Sequence, residues 1–182
     1  MSILFVKKIS RNIGIMGRVK YYLSSKALLL LYNALVLPHL NYCAVIWGSA
    51  YQSRMKKRAI RIIDHKPFCF PSSGLFVKYN FLKITDLVVE QNIVILLAFL
   101  NGNLPIPISV LFNFNRPLGT RAPEHFITPF SRCNFRISSL SFTAPKAWNS
   151  IICNMYPQLS DVPINKTTLK RQVRTKLINT YL

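Results

Sequence analysis

The fold is best predicted from residues 52–64, whose sequence is QSRMKKRAIRIID. Four apolar side chains follow the i, i+4, i+7, i+8 spacing of one helix face: Met55, Ala59, Ile62 and Ile63. Four cations follow the i, i+3, i+4, i+7 spacing of another face: Arg54, Lys57, Arg58 and Arg61. Such a helix packs its apolar stripe on a core and leaves its cations at the surface. We therefore predict a two-sided helix over 52–64.

Similar periodicity extends in both directions along the chain. Further helices are predicted over residues 5–20, 26–47, 75–79, 86–100, 143–152 and 166–181. In the first of them, Ile9, Ile13 and Met16 share an apolar face. Pro38 removes a backbone donor, so we expect it to kink or divide the second helix. We expect Thr85, Thr143 and Asn165 to cap the helices that they precede.

The amino-acid composition of the chain changes after residue 102, where prolines become frequent. We predict a helical domain over 3–101, a Pro-rich linker over 102–142 and a helical tail over 143–182. Within the linker we predict one short strand or hairpin, because polar and apolar side chains alternate at residues 134–137. The expected fold class is mainly α: a helical bundle followed by an irregular tail with a short β element and one or two helices.

The charge balance is strongly one-sided. The 182 residues include 24 Lys and Arg but only 5 Asp and Glu, for a net charge of +19. Segments 7–26, 54–66 and 166–176 hold 17 of these cations and a single acid, Asp64. Solvated helix faces usually mix both signs of charge. Rows of unopposed cations instead predict an anionic partner, and the phosphate backbone of nucleic acid fits them best. Two further rows accompany that of residues 52–64. One consists of Lys7, Arg11 and Arg18, and the other of Lys166, Lys170 and Arg174.

The same composition argues against catalysis. No two of the five carboxylates are adjacent, whereas polymerase chemistry needs acidic groups clustered on divalent metal. No nucleophile motif or glycine-rich phosphate loop is present. We expect no enzyme activity, no cofactor and no small-molecule substrate.

Two His–Cys pairs have a spacing that zinc sites use. His39 and Cys43, like His65 and Cys69, are four residues apart. The first pair lies in an apolar helix and the second straddles Pro67. We therefore expect packed core or loop residues rather than a metal site.

The sequence also bears on compartment. Apolar residues precede Lys7 and Lys8, the reverse of the order in a secretory signal. Residues 27–47 are long enough to span a bilayer but include Asn33 and Pro38, which lipid disfavours. We expect an intracellular protein of the nucleus or cytoplasm, not secreted and without a membrane span.

Six short segments stand out by their sequence and their order along the chain. They are KKIS at 7–10, LYNALVLPHLNYC at 31–43, VIWG at 45–48, KRAIRII at 57–63, GTR at 119–121 and PKAWN at 145–149. With these segments in this order, the chain resembles the region after the catalytic palm in non-LTR retrotransposon reverse transcriptases of the jockey-like type.

The resemblance implies a helical thumb over 3–101 that grips a template–primer duplex by its backbone. It assigns this role to Lys56, Lys57, Arg58 and Arg61, and also to Lys7, Arg11 and Arg18. It implies no catalytic residue, because the family's acidic motif belongs to the palm. We therefore expect a noncatalytic fragment of an RNA-directed DNA polymerase, from a truncated element copy, that binds RNA or an RNA–DNA duplex.

Two other classes of function remain open at this point. The basic amphipathic helices also suit a membrane-surface or protein-interaction module. A transposon relic without selected function is the remaining alternative.

Overall fold

A computed structural model describes residues 2–41, 50–115, 125–137, 139–156, 162–163 and 165–181. Its elements, in chain order, are α1 (Ser2–Val19), α2 (Ser25–Leu35), α3 (37–41), α4 (Ala50–Ile63), α5 (Ser73–Lys78), α6 (Ile84–Leu100), α7 (Ile106–Ser109), β1 (Phe114–Asn115), β2 (His125–Phe126), α8 (Asn134–Ile137), α9 (Leu140–Met155) and α10 (Lys166–Asn179). The fold is mainly α with a small two-stranded sheet, which confirms the predicted class.

The chain forms two compact units. Unit 1 comprises residues 1–88 and 177–182, and unit 2 comprises residues 89–176. This division differs from the predicted boundaries at 101–102 and 142–143. Those boundaries followed a change in composition, whereas the compact units divide within α6, which has residues in both.

The core of unit 1 is built on the predicted apolar faces. Ile9, Ile13 and Met16 of α1 are fully buried, and so are Ile60 and Ile63 of α4. Helix α2 and the residues after α5 complete this core, where the rings of Tyr32 and Phe81 lie 4.9 Å apart between centroids. Burial of one stripe leaves the opposite faces of α1 and α4 at the surface.

The predicted interruption of the second helix is confirmed. The helix is broken at Val36, two residues before Pro38, which has no N–H to donate to the preceding turn. The Nδ2 of Asn12 donates to the carbonyl of Leu35 at 2.8 Å, which satisfies an acceptor beside the break. Residues 42–49, with Cys43 and Trp47, lie outside the described part of the chain.

Unit 2 is organised around an aromatic cluster. The ring of Phe126 in β2 lies 4.8 Å from Phe114, 5.5 Å from Trp148 and 5.7 Å from Phe99. The amide of Asn149 accepts from the backbone N–H of Phe126 at 3.1 Å and donates to its carbonyl at 2.8 Å. The pair Trp148–Asn149 therefore holds β2 on α9 by ring packing and by backbone pairing.

The short hairpin predicted within residues 102–142 is confirmed, since β1 and β2 pair antiparallel with Phe114 opposite Phe126. The alternation at residues 134–137 does not mark a strand. These residues form helix α8, because four alternating residues do not distinguish a strand from one helical turn. Two predicted caps were wrong, because Thr85 and Thr143 lie inside α6 and α9. The cap on α10 is confirmed, since the Oδ1 of Asn165 accepts from the backbone N–H of Thr167 at 3.0 Å.

No helix among the described residues is long and apolar enough to cross a membrane.

The end of α6 provides a test of the fold. Gly102 has a φ of +68°, a conformation that costs residues with a Cβ about 1–2 kcal/mol. We expect Gly102→Ala to lower the free energy of unfolding by about that amount in a denaturant titration. Gly74→Ala is the matched control, because Gly74 lies within α5 with open space around its Cα. The control should be neutral or stabilising, and equal destabilisation by both substitutions would contradict the assignment.

Candidate nucleic-acid interface

An open cleft lies between α1 and α4 on the surface of unit 1. It consists of two hollows of about 510 Å³ and 600 Å³ that share Arg58, Arg61 and Phe68 in their walls. We call it the basic cleft because of the cations that line it: Arg18, Lys20, Arg54, Lys57, Arg58, Arg61 and Lys66.

Small residues of α1 form one side of the basic cleft. Ser10, Gly14 and Gly17 follow the i, i+4, i+7 spacing and all line it. A Cβ on Gly14 would meet nothing within 4 Å, and one on Gly17 would lie 3.7 Å from the Cδ1 of Ile62. The absence of side chains at these two positions leaves room for a ligand beside the cations of α4.

Arg61 is held in place by the loop that follows α4. Its Nε donates to the carbonyl of Phe70 at 2.7 Å, and its guanidinium carbon lies 5.6 Å from the ring centroid of Phe68. The loop begins where α4 ends, with His65 in the left-handed region at a φ of 54° and Lys66 donating to the carbonyl of Arg61 at 2.9 Å. These contacts order the loop against the basic helix.

No carboxylate of the described residues lines the basic cleft. Asp64 lies directly after α4, but Lys78 donates to its Oδ1 at 2.5 Å and Tyr79 at 2.7 Å. The Asp64 side chain is only 7% exposed. The hydrogen bond from Lys78 lowers the pKa of Asp64 from its ordinary value, against the opposing effect of burial. Asp64 therefore binds Lys78 and Tyr79 inside unit 1, and of the cleft cations only Lys66 contributes to lowering its pKa, through a weaker Coulombic attraction.

The structure brings together predicted residues from two helices. Arg18 of α1 and Lys57, Arg58 and Arg61 of α4 all line the basic cleft. Arg18, Lys57 and Arg58 are exposed, whereas Arg61 is half-buried by the loop. Lys7 and Arg11, also predicted, are exposed on α1 but line neither hollow.

Lys56 requires a correction. It is 3% exposed and lies on the buried side of α4 with Ile60 and Ile63, which follow it at i+4 and i+7. The resemblance assigned Lys56 the same role as Lys57, Arg58 and Arg61. At about 100° per residue, however, Lys56 falls on the side of α4 opposite those three cations.

The predicted basic row of α10 is only partly exposed: Lys166 is exposed, whereas Lys170 and Arg174 are half-buried. The Nζ of Lys170 lies 3.9 Å from the Oε2 of Glu90, which is 2% exposed, and the Nε of Arg174 is buried. Both residues lie next to the buried Leu169 and Val173. Helical spacing alone could not reveal the acidic partner of Lys170, because Glu90 lies on another helix.

Two exposed aromatic residues of the cleft were not predicted. Tyr21 and Phe68 line the same hollow as Arg58 and Arg61, and their exposed fractions are 79% and 76%. Phe68 lies in the loop after α4, between Pro67 and Pro71. An aromatic residue between two prolines, close after a basic helix, is the sequence signal that could have indicated it.

The described residues contain no group of three or more His, Cys, Asp or Glu side chains close enough to hold a metal ion. His65 and Cys69 are both exposed, whereas Cys43, the partner expected for His39, is outside the described residues.

Comparison of the chain with family models, curated proteins and solved structures found no match.

The Asp64–Lys78–Tyr79 cluster leads to a prediction about pH. A carboxyl whose pKa is lower in the folded state stabilises the fold above its unfolded pKa of about 3.9 and loses this effect as the pH falls through the folded value. Asp64→Asn should therefore lower the melting temperature at pH 7. The difference from the wild type should shrink as the pH falls below about 4, measured by thermal unfolding. A difference that is independent of pH would contradict this role.

Proposed function

We propose that unit 1 binds nucleic acid, without catalysis, through the phosphate contacts of the basic cleft. In this proposal, Arg18, Lys57 and Arg58 bind phosphates directly, and Arg61 contributes from its fixed position beneath Phe68. The resemblance to the region after the palm of a reverse transcriptase suggests RNA or a template–primer as the natural ligand.

The observation that carries the proposal is the convergence of cations from two helices in a cleft that no carboxylate of the described residues lines. Arg18 lies at the end of α1, and Arg58 lies 40 positions further along the chain, yet both line one hollow. A face that only kept the protein soluble would not require cations of separate helices to meet in a cleft. A phosphate chain requires this arrangement, because several cations must contact it at once.

Binding by this cleft should depend steeply on salt. With about four to six phosphate contacts, log K should fall with log salt concentration at a slope of about −4 to −5. Fluorescence anisotropy with a labelled oligonucleotide at several salt concentrations measures this slope. A flat response would contradict phosphate binding by the cleft.

Removal of three cations from the cleft should change that slope. The triple substitution of Arg18, Lys57 and Arg58 to Gln should weaken binding to all sequences alike and reduce the magnitude of the slope by about 2–3. Arg61 is left intact because its bond to Phe70 orders the loop.

The matched control removes the same charge outside the cleft. Lys26, Arg132 and Arg136 are exposed and line neither hollow. Their triple substitution to Gln should change the slope much less. Equal losses in both variants would mean that net charge, not the cleft, attracts the ligand. Tighter binding to anionic vesicles than to the oligonucleotide at the same salt concentration would favour a membrane-surface protein instead.

A further inference from the structure

The basic cleft contains more than phosphate ligands. Phe68 and Tyr21 expose three quarters or more of their surface beside its cations. An aromatic ring in water gains nothing from a phosphate, but it gains from the face of an unpaired base. In a duplex those faces are covered by neighbouring base pairs, so a duplex backbone would leave both rings unused.

The contacts of the loop order the backbone on both sides of Phe68. Phe70 packs partly against the core of unit 1, and its carbonyl accepts from Arg61. Pro67 and Pro71 restrict the backbone on either side. The guanidinium of Arg61 lies near the Phe68 ring, while most of the ring surface remains exposed. A ring on an ordered backbone segment has fewer degrees of freedom to lose when a base stacks on it.

Tyr21 is a second exposed ring with a cation beside it, and it lines the same hollow as Phe68. It follows α1 in a turn, and the Nζ of Lys20 lies 4.8 Å from its ring centroid. The cations Arg18, Arg58 and Lys66 line the hollow together with both rings. Cations interleaved with exposed rings are typical of grooves that bind single strands.

We propose that the basic cleft takes single-stranded nucleic acid, with unpaired bases stacked on Phe68 and Tyr21 and phosphates bound by Arg18, Arg58 and Lys66. This inference rests on the proposed function and refines its ligand. It differs from the duplex grip that the resemblance implies, because the two rings add a contact that only unpaired bases make.

The test compares three ligands of equal length, about 12 nucleotides, on the full chain. They are a single strand of thymidines, the same backbone without bases, and a duplex. The thymidine strand should bind about tenfold or more tightly than the abasic strand, since stacking contributes about 1–3 kcal/mol per base. Phe68→Ala should reduce this advantage by about fivefold or more, the share of one stacked base, while Tyr21 keeps its own stack. It should leave binding of the abasic strand unchanged, because Arg61 keeps its bond to the carbonyl of Phe70. Phe68→Tyr should retain it.

Phe130 offers a matched control variant. It is 79% exposed, lies 5.7 Å from the guanidinium carbon of Arg132 and lines neither hollow of the cleft. Phe130→Ala should bind all three ligands as the wild type does.

The outcomes separate this inference from the proposed function. If the thymidine and abasic strands bind equally to the wild type, or if Phe68→Ala binds both as the wild type does, base stacking is refuted while phosphate binding stands. If the duplex binds more tightly than the single strand, the duplex grip is favoured and the inference is overturned. If no ligand binds, the proposed function itself fails.

Discussion

The main constraint on the structure is electrostatic: the chain has few carboxylates to pair with its many cations. Three acids lie in the described residues, and each contacts a partner within its own unit. Asp64 accepts from Lys78 and Tyr79, Asp86 accepts from Tyr181, and Glu90 lies near Lys170. The acids therefore fasten elements together instead of neutralising the surface. The cations of the basic cleft repel one another, and an anion that binds there relieves this repulsion.

The geometry of the cleft follows from the packing of two amphipathic helices. Helices α1 and α4 bury their apolar stripes in one core, so the faces beside those stripes meet at the surface. Gly14 and Gly17 leave the α1 side of the basic cleft without projecting side chains, and the loop with Phe68 borders the α4 side. Glycine in the interior of a helix weakens that helix in isolation. Here the two glycines also create the space in which the cations of the cleft converge.

The helices with strong periodicity were predictable from the sequence, and so was the break before Pro38. The faces of individual cations were only partly predictable. Lys56 is buried because it shares a side with Ile60. Lys170 is half-buried and pairs with Glu90, whose position depends on the tertiary fold. The aromatic members of the cleft were missed because Phe68 lies in a loop, where no periodicity indicates which side chains face a neighbouring helix. Spacing predicts which residues share a face, but the fold decides what that face meets.

The central claim, that a polyanion occupies the basic cleft, is tested most directly by protection of Cys69. This exposed cysteine lines the cleft with Arg58 and Arg61, while the exposed Cys133 belongs to unit 2 and is an internal reference. The alkylation rate of each cysteine can be followed by peptide mass spectrometry, with and without a saturating oligonucleotide. The account predicts slower alkylation of Cys69 alone, with protection lost at high salt. Unchanged alkylation of Cys69 while the oligonucleotide is bound would contradict it.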